Sequence, residues 1–289
     1  MNKIILALVA IWVFSPLFVF AVPINSDVAL TPFKGQIIIR NQAKYTRKAN
    51  DPTEKDRDMQ IWMFPNTFVY GLTEKLAFSL TAPYIIKEQK STSAGIRSAI
   101  SDSGIGDINL MSKYRVWSKD LSGEARRISL IGGLELPTGD DKAQLKLGSG
   151  SIDPIVGVLF TRQSLNQEFD IDLTYQFNTE ASNYEFGDIL KYNLAYQRRV
   201  WPWKLPEKGV YSQLNLVFEL NGEYTQKDKS AGSLVKDSGG NTLFISPGIQ
   251  WVAKRWVLES SIQLPLIKDL NGNQLETDYA IVTSLRLTF

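Results

Sequence analysis

Asp170 and Asp172 stand two residues apart, so on an extended chain both carboxyls project to the same side. Paired carboxyls can divide acid and base work between them, but nothing else in the chain completes such a site. There is no histidine to titrate near neutral pH and no cysteine to act as nucleophile or soft metal ligand. Ser/His hydrolysis, His-dependent lipid modification and His-assisted proteolysis are therefore excluded. The segment Asp269-Leu270-Asn271-Gly272-Asn273-Gln274-Leu275-Glu276 carries calcium-loop residue types, but its Gly comes fourth instead of sixth and its Glu arrives too early. No enzyme, cofactor or metal is expected. The charged residues instead suit the lining of a water-filled passage. Arg115, Arg162, Arg199 and Arg286 are expected to point inward near one end, with Asp170, Asp172 and Glu259 among them and able to pair with them. Asp107, Glu135, Glu223 and Asp278 are expected to point inward near the other end as an acidic vestibule, with Lys113 and Glu219 between.

Strands must position these residues. In Glu168 to Glu180, Phe169, Ile171, Leu173, Tyr175 and Phe177 share one face, opposed by Asp170, Asp172, Thr174, Gln176 and Asn178. The same alternation recurs around Leu76–Tyr84, Ile108–Arg115, Ile128–Leu134, Leu190–Tyr196, Leu214–Tyr224 and Asp278–Phe289, and more weakly at Gly35–Gln42, Gln60–Leu72, Ile152–Gln163, Thr242–Val252 and Trp256–Leu266. A face of acids and amides opposite a face of large apolar residues suits water on one side and lipid on the other. Beyond the first 21 residues no apolar run approaches the ~20 that a spanning helix needs. Strands cross a bilayer only as a closed barrel, because lipid offers the backbone no hydrogen-bond partner. The expected fold is all-β: a membrane-spanning antiparallel barrel of about 12 strands with both termini periplasmic, as the even strand number of bacterial barrels requires.

The connections alternate in length. Short turns are expected at Gly71–Lys75, Ser118–Glu124, Ser164–Gln167, Pro202–Gly209 and Ala253–Arg255. Long loops are expected at Ala43–Arg57, Lys87–Ser103, Thr138–Ser151, Thr179–Phe186, Gln226–Gly240 and Lys268–Thr277. Trp117, Trp201, Trp203, Trp251 and Trp256 lie beside the short turns, and Tyr84, Tyr175, Tyr224 and Tyr279 toward the opposite ends, as two interfacial girdles would.

Residues 1–21 read as a secretory leader: Lys3 is the positive start, Ile4 to Val13 the apolar stretch, and Val19-Phe20-Ala21 the small-x-small cleavage site. Residues 22–289 are then one barrel domain in the outer membrane of a Gram-negative cell. Its expected partners are outer-membrane lipid, the barrel assembly machinery and a small solute. The near balance of 32 basic and 30 acidic residues gives nucleic acid no electrostatic hold.

Four groups of residues carry a family resemblance. They are Gly104-Ile105-Gly106-Asp107-Ile108, Leu134-Glu135-Leu136-Pro137-Thr138-Gly139, Leu147-Gly148-Ser149-Gly150 followed by Asp153, and Gly187-Asp188 before Tyr192-Asn193-Leu194-Ala195. In this order they resemble the outer-membrane β-barrel family associated with transport in the meta-pathway of phenol degradation. The resemblance implies passage of small solutes, aromatic or apolar compounds among them, by passive diffusion. The alternative is a closed structural or surface-binding barrel with a lumen plugged by its own side chains.

Tyr279, Leu285, Leu287 and Phe289 form the outward face of the terminal strand and are expected to act as the insertion signal. Deleting Phe289, or changing Leu285 and Leu287 to Asp, should leave the protein periplasmic. Cell fractionation with a heat-modifiability gel checks this, and normal outer-membrane levels of a heat-modifiable band in these variants would sink it.

Overall fold

In a computed structural model, residues 22–204 and 212–289 are described. The expected leader at 1–21 and part of the expected turn at 202–209 lie outside them.

Twelve wall positions close on themselves. The strands are β1 (Ile37–Ala49), β2 (Asp58–Gly71), β3 (Leu76–Ser93), β4 (Ile96–Ile105), β5 (Ile108–Leu121), β6 (Glu124–Leu136), β7 (Asp153–Ser164) and β8 (Gln167–Gln176). After the two-residue β9 (Tyr184–Glu185) come β10 (Ile189–Trp201), β11 (Gln213–Thr225), the two-residue β12 (Lys229–Ser230) and β13 (Ser233–Leu234), β14 (Gly240–Val252), β15 (Trp256–Leu270) and β16 (Glu276–Thr288). Every wall pairing is antiparallel, and β1 pairs with both β2 and β16, which closes the ring. β4 and β5 share one wall position: β3 pairs with β5 through Leu76–Thr81 and with β4 through Tyr84–Ser93. The interruption falls at Gly106 and Asp107.

The faces follow from the period of two. Leu173 is 43% exposed on the outer face, whereas its neighbour Asp172 is 4% exposed on the inner one. Aromatic residues collect at both rims: Trp201 stacks on Trp251 at the short-turn end with centroids 5.9 Å apart, and Tyr45 meets Trp62 (4.8 Å) and Tyr279 (6.0 Å) at the long-loop end.

Two of the expected long loops are corrected. Within Ala43–Arg57, β1 continues to Ala49, and Lys87–Ser103 is the hairpin of β3 and β4, turning at Ala94-Gly95. The strands extend past the strongly alternating section, so both faces turn polar and the period fades while the ladder continues. Two further loops carry β9, β12 and β13, which form a small separate sheet.

Arginine at Leu173 or Leu216 should destabilise the barrel by ~2–4 kcal/mol if these sites lie near the bilayer midplane. Reversible urea unfolding in lipid vesicles measures this. A cost under about 0.5 kcal/mol at both sites would contradict the assigned lipid face.

Candidate permeation path

Residues 22–36 do not leave the barrel. They enter its lumen and form an arch that rises along β11 and β14, crosses, and descends along β5, β6 and β7 to the short-turn end. Ile24 and Ala29 are completely buried, and Val28, Thr31 and Gln36 nearly so. The segment has no regular ladder, so its backbone groups need side-chain partners.

The wall supplies them. Glu219 accepts from the backbone N–H of Ile24 (2.9 Å), Asn25 (3.0 Å) and Ser26 (2.7 Å), and from the Ser26 hydroxyl (2.5 Å). Asp172 accepts from Asp27 N–H (2.8 Å) and Asn193 Nδ2 (2.8 Å). Thr161 Oγ1 accepts from Ala29 N–H (2.9 Å) and donates to Asp170 (2.6 Å), while the Ser129 hydroxyl donates to the Ala29 carbonyl (2.7 Å). Lys113 Nζ reaches Asp27 Oδ1 (2.6 Å) and the Val28 carbonyl (2.7 Å). Arg40 bridges the Ile24 carbonyl (2.6 Å) to Glu259 (2.6 Å), and Glu259 also takes Arg286 (3.2 Å) and Gln250 (2.9 Å). Gln250 donates in turn to the Val22 carbonyl.

Lys113, Asp170, Asp172, Glu219, Glu259 and Arg286 thus converge around the arch, and the pairing differs from expectation. Glu259 alone among the expected carboxylates pairs with arginine, whereas Asp172 and Glu219 hold arch N–H groups and Asp170 holds Thr161. Arg115 donates to the Glu74 carbonyl (2.6 Å) and Arg199 to the Leu165 carbonyl (2.8 Å), both at the short-turn end. Arg162 is corrected: it shares the outer face with Val156 and Val158 and pairs with Glu124 at 2.6 Å. The expectation miscounted its parity, because Thr161 is the buried residue. Asp278 is the extra residue where the β1–β16 register slips between Arg47 and Lys48. Glu135 takes Gln176 (3.0 Å) and Asn109 (3.3 Å). Glu223 stands opposite Lys191 in register. The acidic vestibule is corrected as well, since Lys44, Lys48, Lys87 and Lys191 occupy inward positions at that end.

Between the arch and β1, β2, β3, β5 and β6 lies a cavity of about 370 Å³. Its wall is mainly apolar, with Val28, Leu30, Ile38, Val69, Met111 and Ile131, and Arg40, Lys113 and Arg286 are its cations.

The sequence landmarks converge at the long-loop rim. Asp107 accepts from Gly139 N–H (2.8 Å) and Ser149 N–H (2.6 Å), and the Thr138 hydroxyl bridges Gly106 carbonyl (2.9 Å) to Ile108 N–H (3.0 Å). The approach demands glycine. A Cβ on Gly139 would lie 2.7 Å from the Leu147 carbonyl oxygen, and one on Gly148 2.4 Å from an Asp107 carboxylate oxygen. Asp153 holds Thr179 N–H (2.7 Å), and Asp188 holds Asn178 N–H (2.9 Å) and the Tyr175 hydroxyl (2.8 Å). Farther out, hydrogen bonds from Arg57 hold the Asp51 carboxyl well below the usual carboxylate range. These contacts fix the loops around the opening.

Sequence reasoning missed the arch, Arg40, Lys44, Lys48, Lys87, Glu168 and Ser129. Alternation extended backward from Asn41 would have found Arg40, since an inward position is where a barrel keeps a charge. Nothing periodic marks the arch.

If Glu219 anchors the arch, Glu219→Ala should free its first limb. In a chain with no native cysteine, a single Ile24→Cys probe should react with maleimide at least about tenfold faster in the Glu219→Ala background, the loss of one charge-assisted bond or more. Equal protection in both backgrounds would remove Glu219 from that role.

The fold has known counterparts. The COG4313 outer membrane channel from Pseudomonas putida F1 superimposes with a TM-score of 0.67 at 15% identity, over 91% of this chain and 98% of that one. The beta domain of the Bordetella autotransporter Brka superimposes more loosely, with a TM-score of 0.43 at 11% identity over 89% of this chain and 100% of that one. No curated protein matches the sequence. Residues 53–265 match the family model described as "Putative MetA-pathway of phenol degradation", and they contain every landmark at the rim. With that match over most of its length and the outer-membrane barrel fold it shares with the Pseudomonas channel, the chain belongs to this family.

Proposed function

We propose that the protein is an outer-membrane channel for small solutes, with its short turns in the periplasm, its long loops outside and the arch as its gate. The observation that carries this reading is the cavity of about 370 Å³ left beside the arch, apolar on most of its wall and edged by cations. A volume of this order suits a single-ring or short-chain molecule. Its wall favours solutes with an apolar body, and the Pseudomonas counterpart is named an outer membrane channel. Passage is diffusive in this reading, from the loops through the cavity and past the arch. Solute would enter among the loops, occupy the cavity, and leave past Thr31 and Gln36 when the arch shifts.

A second reading, a closed barrel, draws on the partners that the arch backbone finds in the wall from Ile24 to Ala29. The two readings differ in what removal of the arch does. A variant lacking 22–32 should give stable conductance in planar bilayers at least about tenfold above the parent, because a constriction is the dominant resistance of a pore. The parent should admit benzyl alcohol into liposomes faster than protein-free vesicles do. No conductance from a folded deletion variant, together with no solute entry through the parent, would establish the closed barrel instead.

A further inference from the structure

The inner face of β1 carries Arg40, Lys44 and Lys48 at four-residue steps, which on a strand places the cations about 13 Å apart along the path. Arg40 is paired with Glu259 at the level of the arch. Lys44 and Lys48 are not: among the described residues, neither lies within ion-pair distance of an acid, and neither does Lys191 on the nearly opposite wall. Lys44 nevertheless stands in the electrostatic reach of Lys48, Lys191 and Glu223. Glu223 faces Lys191 in register and lies within electrostatic reach of Lys44 and Lys48. The neighbouring acids are engaged elsewhere: Asp102 with Leu145 N–H, Asp107 with Gly139 and Ser149 N–H, and Glu135 with Asn109 and Gln176. Lys87, also inward, donates to the Lys146 carbonyl.

Lys44 and Lys48 are half-buried and Lys191 is exposed to the lumen, and ammonium groups in excess beside a low-dielectric wall attract an anion. The surface between them is apolar. Lys44 lies opposite Met63, Thr46 opposite Ile61 and Lys48 opposite Met59, all on the inner face. A bare inorganic ion would leave this thioether and methyl surface unused, and a neutral apolar solute would leave the charges unused.

We infer that Lys44, Lys48 and Lys191 form a receiving site for the carboxylate of a small organic acid whose apolar body rests on Met59, Ile61 and Met63. Arg40 and Lys113 continue the basic lining to the cavity beside the arch. The inference rests on the channel reading for its place on a path, but the site stands on its own residues.

The test is titration calorimetry on the full chain in non-ionic detergent with three probes: benzoate, benzyl alcohol and acetate. Benzoate should bind at least about tenfold more tightly than benzyl alcohol, which lacks the charge, and than acetate, which lacks the apolar body. Lys44→Gln with Lys48→Gln should weaken benzoate by about tenfold or more, while Lys44→Arg with Lys48→Arg should stay within about threefold of the parent. Heat-modifiability on gels reports that each variant remains a barrel, and Lys191→Gln provides an independent substitution should the double variant fail to assemble. Benzoate binding no tighter than benzyl alcohol, undetectable in the parent, or unchanged in both the folded Lys44/Lys48 double variant and Lys191→Gln would overturn the inference. Liposome entry of benzyl alcohol separates it from the channel reading. Entry without benzoate binding sinks this site alone, and benzoate binding without entry, together with no conductance from the folded deletion variant, sinks the channel alone.

Discussion

Every backbone amide and carbonyl inside a membrane-spanning chain must find a protein partner or confined water, and the whole molecule follows from that constraint. It forces the wall to close, which it does where Ile37 and Phe289 exchange N–H and carbonyl at 2.8 and 3.0 Å beside the β1–β16 ladder. It also governs the lumen. Residues 22–34 have no strand to pair with, so side chains of the wall serve in place of a ladder, and only Gly35 and Gln36 bond to the end of β2 at Gly71. A buried carboxylate ordinarily requires a cation beside it. Glu219 has three consecutive N–H groups instead, and each bond is strengthened by the negative charge it satisfies.

This explains which parts of the molecule the sequence disclosed. A strand between lipid and lumen has a fixed period, so Phe169–Phe177 or Leu214–Tyr224 declares both its existence and its faces. Parity propagates without error only through an unbroken ladder. The Arg162 expectation failed through a one-residue slip in where inward and outward began, and Asp278 falls where a bulge interrupts the count. The arch left no trace because Asn25-Ser26-Asp27 reads as a turn and Val28–Pro32 as an unpatterned apolar stretch. The acids gave a half-true signal. An Asp or Glu on an inward position does announce a lumen, but its type does not disclose whether a guanidinium or a peptide N–H will meet it.

The rim landmarks show the same limit from the other side. Leu-Pro-Thr-Gly and Gly-x-Gly-Asp read locally as strand ends, which they are: β4 stops at Ile105 and β6 at Leu136. Their longer-range purpose lies in the meeting of Asp107 with Gly139 and Ser149, more than thirty residues away in sequence. Such a contact requires a glycine on one strand end and an acid on another, and neither carries information about its partner. The loop from Thr138 to Ser151 thereby lies against the inner face of β4, where Leu145 N–H binds Asp102.

Arch, cavity and lysines divide the lumen by depth according to how each charge is satisfied. At the level of Glu219, Glu259 and Arg286 these three charges are held by internal partners, which makes that layer rigid and specific. Toward the long loops the balance reverses: Lys44, Lys48 and Lys191 gather around Glu223, while Asp102 and Asp107 hold loop backbone and Glu135 holds the side-chain amides of Asn109 and Gln176. A solute moving inward therefore meets unsatisfied charge before satisfied charge. Any anion that settles among the lysines must give up that attraction to go deeper, where Arg40 and Lys113 are already bonded to Glu259 and Asp27. A carboxylate could compete for Lys113 more readily than for Arg40, because Asp27 is half-exposed while Glu259 is sealed. Asp27 also belongs to the arch. Exchange of the Lys113 ion pair between Asp27 and an incoming acid would thus loosen the arch at its crossing point while Glu219 keeps hold of the other limb.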